Sequence, residues 1–142
     1  MEVEVKELLK GKVIVKRLKI KSPPLKNGGI FISPSGEIAQ IVNGETFDFL
    51  AYIEFKYSPE HPRGNHYHTK KEEFLYIIKG KLRAIYLNID DGEREELVLE
   101  TGDLVNVKPR CAHVYYPMEY TQTLEFSSSI FDPLDINKQI VE

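Results

Sequence analysis

The residues best suited to chemistry lie in two short segments of the sequence. One segment contains His66, His68 and Glu73, and the other contributes His113. Imidazole nitrogen and carboxylate oxygen together make a sufficient ligand set for a divalent transition metal. Four protein ligands leave one or two open positions on a five- or six-coordinate ion, and catalysis needs an open position.

The spacing of these residues predicts how they meet. His66 and His68 are two positions apart, so both side chains point to the same face if the chain is extended there. The polar interval 69–72 turns the chain, and Glu73 then opens an apolar strand beside the first. The alternative is that the two histidines belong to a solvated loop, as nearby His61 suggests.

Composition limits the class of protein. The length of 142 residues fits one domain. The formal net charge of -3 argues against sequence-independent binding of nucleic acid. No apolar run approaches the ~20 residues of a membrane span. The charged start is unlike a secretory signal, and the single Cys111 excludes an intrachain disulfide. These features predict a cytoplasmic protein.

Short runs rich in β-branched and aromatic residues recur along the chain between Gly, Pro, Asn and Asp. Asp91-Gly92 and Pro34-Ser35-Gly36 read as tight turns. Helical signals are weak and are confined to residues 1–9 and to the tail after Pro133. Many short strands predict an all-β sandwich or barrel, and the pattern alone does not choose between them.

Other side chains near the histidines are candidates for substrate chemistry. Arg63 carries a planar fork suited to carboxylate or phosphate, although it can equally be a solvated loop cation. Tyr115 shares the face of His113 in a strand, which makes it a candidate proton donor, although such a tyrosine more often only lines a cavity. Glu73 is preferred over Glu72 as the carboxylate ligand of the metal, because six residues separate Glu73 from Gly80.

The arrangement resembles the cupin superfamily. Its first motif, Gly-x5-His-x-His-x3-4-Glu-x6-Gly, is matched from His66 to Gly80, except that Gly64 stands too close to the first histidine. Its second motif is matched in the spacing from Gly102 to His113, with Pro109 one position late and Arg110 in place of the inner glycine. The resemblance implies a single domain over residues 1–142: a double-stranded β-helix, or jelly roll, with its core at about 45–128 and N-terminal strands within 1–44.

A narrower likeness concerns the substrate. The run 63–72 is similar to the cupin domain of capsular polysaccharide sugar-nucleotide epimerases, and Arg63-Gly64-x-His66 is similar to a segment of dTDP-sugar 3,5-epimerases and 3,4-ketoisomerases. The resemblance implies a pyrophosphate role for Arg63 and a base role for His66. The two likenesses compete, because a histidine bound to metal through its reactive nitrogen is unavailable as a base.

The ligand set predicts a metal-dependent enzyme with Tyr115 as a candidate proton donor. The resemblance implies an isomerase or epimerase of a sugar nucleotide or keto sugar in polysaccharide biosynthesis. Zinc is the favoured metal, and iron, manganese, nickel and cobalt are alternatives. The other functions to be tested are a dioxygenase or decarboxylase of a small oxygenated substrate and a non-catalytic small-ligand-binding protein. We also expect a homodimer, because the strands within 13–20 need a neighbour.

Overall fold

Short β-strands joined by tight turns make up most of the structure. The computed structural model describes residues 3–23, 25 and 28–142, with side chains from residue 5 onwards. The strands are β1 (Val3–Leu8), β2 (Val13–Leu18), β3 (Gly29–Ser33), β4 (Gly36–Gln40), β5 (Phe49–Phe55), β6 (Arg63–Tyr67), β7 (Glu73–Lys79), β8 (Lys81–Asn88), β9 (Arg94–Glu100), β10 (Asp103–Val107), β11 (Cys111–Pro117), β12 (Thr121–Ser127) and β13 (Asn137–Lys138).

Two antiparallel sheets carry the fold. One has the strand order β1-β2-β10-β7-β12-β5, and the other has the order β13-β6-β11-β8-β9. Strands β3 and β4 form a separate hairpin. Apart from the consecutive pairs β1-β2 and β8-β9, neighbours in each sheet are distant in sequence, as in a jelly roll, and this arrangement confirms the all-β prediction.

The main core fills the space between the two sheets. Alternate residues of β8, Leu82, Ala84 and Tyr86, are fully buried there and meet inward-facing residues of the other sheet such as Ile77 and Val105. The outer face of the five-stranded sheet is also covered, because Ile85 and Val114 pack against Val141 of the C-terminal segment. The strand periodicity of two produces both layers.

Two expectations about the ends of the chain need correction. Residues 3–8 form a strand and not a helical turn, and the helical signals correspond only to 3-10 turns at Leu9–Gly11 and Pro133–Asp135; Met1 and Glu2 lie outside the described residues. Strand β2 pairs with β1 and β10 of its own chain, so it needs no partner subunit as a neighbour. The argument for a homodimer from β2 is therefore wrong, although the dimer itself stays a prediction.

Candidate metal and substrate site

Three strands bring the four predicted ligands together. His66 lies on β6 directly opposite His113 of β11. His68 follows the end of β6, and Glu73 is the first residue of β7 in the facing sheet. The four side chains therefore meet between the two sheets. The expectation that the Glu73 strand lies beside that of the histidines is wrong, because Glu73 reaches them from the facing sheet.

A β-bulge at Asn65 orients the side chain of His66. The pairing of β6 with β11 shifts by one residue between His113 and Val114, so Asn65 is the extra residue on β6. Asn65 has a φ of 59°, in the left-handed region that asparagine tolerates better than most residues. Next to it, Gly64 has a φ of 117°, and a Cβ there would lie 2.4 Å from the carbonyl oxygen of His113.

The distances within the cluster are short. Nε2 of His68 lies 2.5 Å from Oε1 of Glu73, and Nε2 of His113 lies 3.6 Å from Oε2 of the same carboxylate. The candidate ligand atoms of His66, His68 and Glu73 all lie within 4.8 Å of one another. The ring centres of His66 and His113 are 4.8 Å apart. One carboxylate thus lies among three imidazoles.

The orientation of His68 suits a metal ligand. Its Nδ1 must donate the 2.7 Å hydrogen bond to the carbonyl oxygen of Asp135, because a carbonyl only accepts. Its Nε2 is buried, and although it is close to Glu73 it makes no hydrogen bond with proper geometry. A neutral imidazole whose Nδ1–H is bound to a carbonyl presents the lone pair of Nε2, as metal-binding histidines do. Together with the nitrogen and oxygen donor set, this geometry fits a borderline divalent metal.

Electrostatics keeps most of the cluster ready for a cation. Burial, together with the other two imidazoles, lowers the pKa of His66 to about 4, and burial lowers the pKa of His113 as well. Burial opposes the ionisation of Glu73, but the imidazoles of His68 and His113 and the ammonium of Lys71 outweigh it and lower its pKa to about 2. At neutral pH the site therefore presents a carboxylate and at least two neutral imidazoles.

His68 differs from the other two histidines. Its burial acts to lower its pKa, but the adjacent Glu73 carboxylate and the Asp135 carbonyl outweigh burial and raise the pKa. In the absence of a metal, the Glu73 carboxylate thus favours the protonated form of His68. A bound cation would replace that proton.

Two charged residues of the cavity were not predicted from the sequence. The side chain of Lys71 is 8% exposed, and its Nζ lies 3.5 Å from Oε1 of Glu73, 4.0 Å from Oε2 of Glu125 and 4.6 Å from the ring centre of Phe49. Among the residues that the structure describes, its ammonium makes ion pairs but no hydrogen bond. Burial and the Glu73 carboxylate raise the pKa of Glu125 to about 7. The run Lys70-Lys71-Glu72 reads as a solvated edge in sequence, and only the packing of β7 against β12 shows that Lys71 turns inward.

Tyr115 lies where the sequence predicts, on the inward face of β11. It is buried, it lines the cavity, and its ring centre lies 5.4 Å from that of His113. The hydroxyl oxygens of Tyr86 and Tyr115 lie 3.1 Å apart and share a hydrogen bond. Burial raises the pKa of Tyr115, so its hydroxyl stays protonated at neutral pH.

Arg63 stands at the mouth of the cavity. The cavity measures about 400 Å³, and its wall is mixed apolar and polar. Arg63, Phe55 and Pro62 also border a second, outer groove of about 710 Å³ that carries Lys56 and His61. The Arg63 guanidinium is exposed, donates to the carbonyl oxygen of Glu54 at 3.1 Å and lies 5.5 Å from the ring centre of Phe55.

Two other side chains near the ligands in sequence that could bind a metal, Glu72 and Cys111, lie outside the cluster. The Glu72 carboxylate accepts hydrogen bonds from Asn106 and Lys108, both at 2.8 Å, and does not line the cavity. Cys111 is buried in the main core, and its burial raises the pKa of its thiol to about 12. The structure therefore separates Glu73 from Glu72 in the way that the spacing to Gly80 predicts.

The sheets and the cluster between them define a cupin-type jelly roll, and solved structures share this fold. A dTDP-4-dehydrorhamnose 3,5-epimerase from Sulfolobus tokodaii matches with a TM-score of 0.74 and 14% identity over 96% of this chain and 81% of its own. A TDP-quinovose 3,4-ketoisomerase from Campylobacter jejuni matches with a TM-score of 0.69 and 18% identity over 80% of this chain and 89% of its own.

A third similar structure is a sugar 3,4-ketoisomerase from Thermoanaerobacterium thermosaccharolyticum in complex with TDP. Its TM-score is 0.71 and its identity 16%, over 92% of this chain and 90% of its own. No protein-family model matches the sequence. No curated protein matches it either. At these identities the comparisons establish the cupin jelly-roll fold. In addition, no helix of the described residues is long and apolar enough to cross a membrane.

Proposed function

We propose that this protein is an isomerase or epimerase that acts on a keto sugar carried by a nucleotide, with one divalent transition metal bound by His66, His68, Glu73 and His113. The observation that carries the proposal is the convergence of three imidazoles and one carboxylate at the base of an open cavity. A hexose fits a cavity of about 400 Å³, since small-molecule sites commonly measure ~300–1,000 Å³.

The outer groove supports a substrate that is larger than a free sugar. It begins at Arg63 where the inner cavity ends, and it adds Lys56 and His61 to the same rim. A diphosphate held at Arg63 would leave the sugar in the inner cavity and the nucleoside in the groove. The guanidinium fork suits paired phosphate oxygens.

The chain supplies the groups that a proton transfer next to a ketone requires. A bound metal would polarise the sugar carbonyl as a Lewis acid. Tyr115 offers a protonated hydroxyl on one wall, and Glu125 offers a carboxylate whose pKa of about 7 suits proton exchange at neutral pH. The Lys71 ammonium has donors free for a substrate oxygen. In this proposal His66 serves the metal, and the base role passes to Glu125.

The similar structures support the same reaction class. The similar proteins are 3,5-epimerases and 3,4-ketoisomerases of nucleotide sugars, and one ketoisomerase structure contains TDP-4-keto-6-deoxyglucose. Metal dependence, a cytoplasmic location and a place in polysaccharide biosynthesis are parts of the proposal that rest on the sequence and on the cluster alone. The favoured metal is zinc.

Proton exchange tests the proposal. TDP-4-keto-6-deoxyglucose is incubated with the protein in D2O, and the C3 and C5 proton signals are followed by ¹H NMR. We expect at least one of these signals to disappear with the wild-type protein as the proton exchanges for deuterium. The same signal should disappear more slowly with Tyr115→Phe. Tyr116→Phe is the matched control, because Tyr116 is the next residue of the same strand and its hydroxyl donates to Glu142 on the outside of the sheet.

Other outcomes would replace the proposal. Bound metal with uptake of dissolved oxygen on a diketone or aromatic diol would indicate a dioxygenase, which the same ligand set suits. Release of CO2 from a small keto acid would indicate a decarboxylase. Stoichiometric metal with neither exchange, oxygen uptake nor decarboxylation would indicate a small-ligand-binding protein.

A further inference from the structure

The C-terminal segment returns to the metal site after β12. Its strand β13 pairs with β6, which places Lys138 opposite His66 and Asn137 opposite Tyr67. The backbone N–H of Gln139 donates to the carbonyl oxygen of Asn65, the bulge residue, at 2.8 Å. The strand that carries the first ligand is therefore held between β11 and this segment.

Asp135 makes the contacts that fix the loop after His68. Its Oδ1 accepts hydrogen bonds from the backbone N–H of Thr69 at 2.8 Å and from the Thr69 hydroxyl at 2.6 Å. Its Oδ2 accepts from the backbone N–H of Lys70 at 3.0 Å. These two residues begin the loop that leads to Glu73, so the Asp135 carboxylate restrains the path between two ligands.

The backbone of the same residue orients a ligand directly. The Asp135 carbonyl oxygen accepts from Nδ1 of His68 at 2.7 Å, and Asp135 is only 8% exposed. A second-shell acceptor on the far nitrogen of a metal-bound imidazole fixes its tautomer and ring orientation. The backbone of Asp135 thus contacts His68, while its carboxylate holds the loop that follows.

We infer that Asp135 is a positioning residue of the metal site: its carboxylate clamps the loop at Thr69 and Lys70, and this clamp holds its carbonyl against His68. The inference rests on the metal site of the proposed function. It gives the C-terminal segment a role beyond covering the sheet, because seating of the segment and binding of the metal are then coupled. By linkage, metal binding must also strengthen the seating of the segment.

Cobalt titration tests the inference, with chelator-treated protein and visible absorption as the readout. We expect wild type to bind one Co²⁺ per chain, and Asp135→Ala to bind it about 10- to 100-fold more weakly, with an altered d–d spectrum. Asp135→Asn should fall between the two, because it keeps an acceptor for Thr69 but turns an amide toward the N–H of Lys70. Thr69→Val removes one hydroxyl contact and should weaken binding less.

The matched control is Glu142→Ala. Glu142 anchors the end of the same segment to Arg83 and Tyr116 but does not touch the loop or His68. The cobalt affinity of the Glu142→Ala variant should stay within about twofold of wild type. Far-UV circular dichroism is used to check that each variant is folded. If Asp135→Ala is unfolded, Thr69→Val and Asp135→Asn decide the question.

Two further readouts separate this inference from the metal proposal. Long-range ¹H–¹⁵N spectra of the metal-free protein, recorded above the pKa of His68, should show the proton of the neutral ring on Nδ1 in wild type and a mixture of tautomers in the Asp135 variants. Hydrogen exchange of residues 133–141 should slow when cobalt binds. Failure of wild type to bind cobalt would refute the metal site alone. The positioning role would be overturned if the folded Asp135 variants had the same imidazole spectra as wild type and, where cobalt binds, the same cobalt affinity.

Discussion

Replacement of Gly64 by alanine should damage both the fold and the site, because this glycine lets β6 approach β11. An added Cβ would lie 2.4 Å from the His113 carbonyl oxygen and 3.0 Å from the Cα of Val114, and both are backbone atoms that cannot rotate away. Overpacking of this kind costs about 1–3 kcal/mol. The φ of 117° adds roughly 1–3 kcal/mol of backbone strain for a residue with a side chain.

Gly36→Ala is the control that separates the two costs. Gly36 has a φ of 122°, but a Cβ there would meet nothing within 4 Å. We expect Gly36→Ala to lose about 1–3 kcal/mol of unfolding free energy in urea and to keep its metal. Gly64→Ala should lose about 2–6 kcal/mol in all and should bind metal more weakly, since separation of the strands moves His66 away from His113.

The result that would refute this reasoning is specific. It is a Gly64→Ala protein whose unfolding free energy matches that of Gly36→Ala and whose metal content matches wild type. Such a result would mean that β6 does not approach β11 as described, and that the pairing of His66 with His113 is not what builds the site.

Three further predictions concern the same cavity and the assembly. Because the Glu73 carboxylate raises the pKa of His68, a metal that binds at a pH below that pKa must displace a proton from His68. The apparent cobalt affinity should therefore fall about tenfold for each pH unit below the pKa, and an affinity that does not change on acidification would contradict this. Lys71→Met should slow proton exchange in the sugar nucleotide about 10- to 100-fold, because it removes a hydrogen bond from a charged group to the substrate. An unchanged rate would show that Lys71 does not bind the substrate. A homodimer is expected by light scattering at micromolar concentration, and a monomeric mass would exclude it.

The identity of the four clustered residues was accessible from the sequence because it depends on local spacing. Two histidines two residues apart share one face by strand periodicity, whereas Glu73 joins them through the packing of the two sheets. The inner glycine of the second motif is replaced by Arg110, yet Arg110 adopts a φ of 63°, as a glycine would. Its guanidinium is held by Asp90 at 2.6 Å, so the turn survives the substitution.

Features that depend on long-range packing were not accessible. Lys71 belongs to a polar run that looks solvated, but its ammonium lies near Glu125, which β12 brings to the cavity by pairing with β7. Asp135 lies in a tail without a recognisable motif, and its partners precede it by more than sixty residues. Both residues act through contacts between distant segments, for which one sequence holds no local signal. Similarly, the apolar pattern of β2 could not reveal that its neighbours are β1 and β10.

Metal content tests most directly whether four side chains converge on a cation. The metal-to-chain ratio is measured by elemental analysis for wild type, Glu73→Gln and Glu72→Gln, all purified without chelator. Glu72 is the matched control, because its carboxylate is engaged by Asn106 and Lys108 outside the cavity. We predict about one metal per chain in wild type and in Glu72→Gln, and loss of most of it in Glu73→Gln. Full occupancy in Glu73→Gln, or no metal in wild type even after incubation with zinc, would contradict the proposed site.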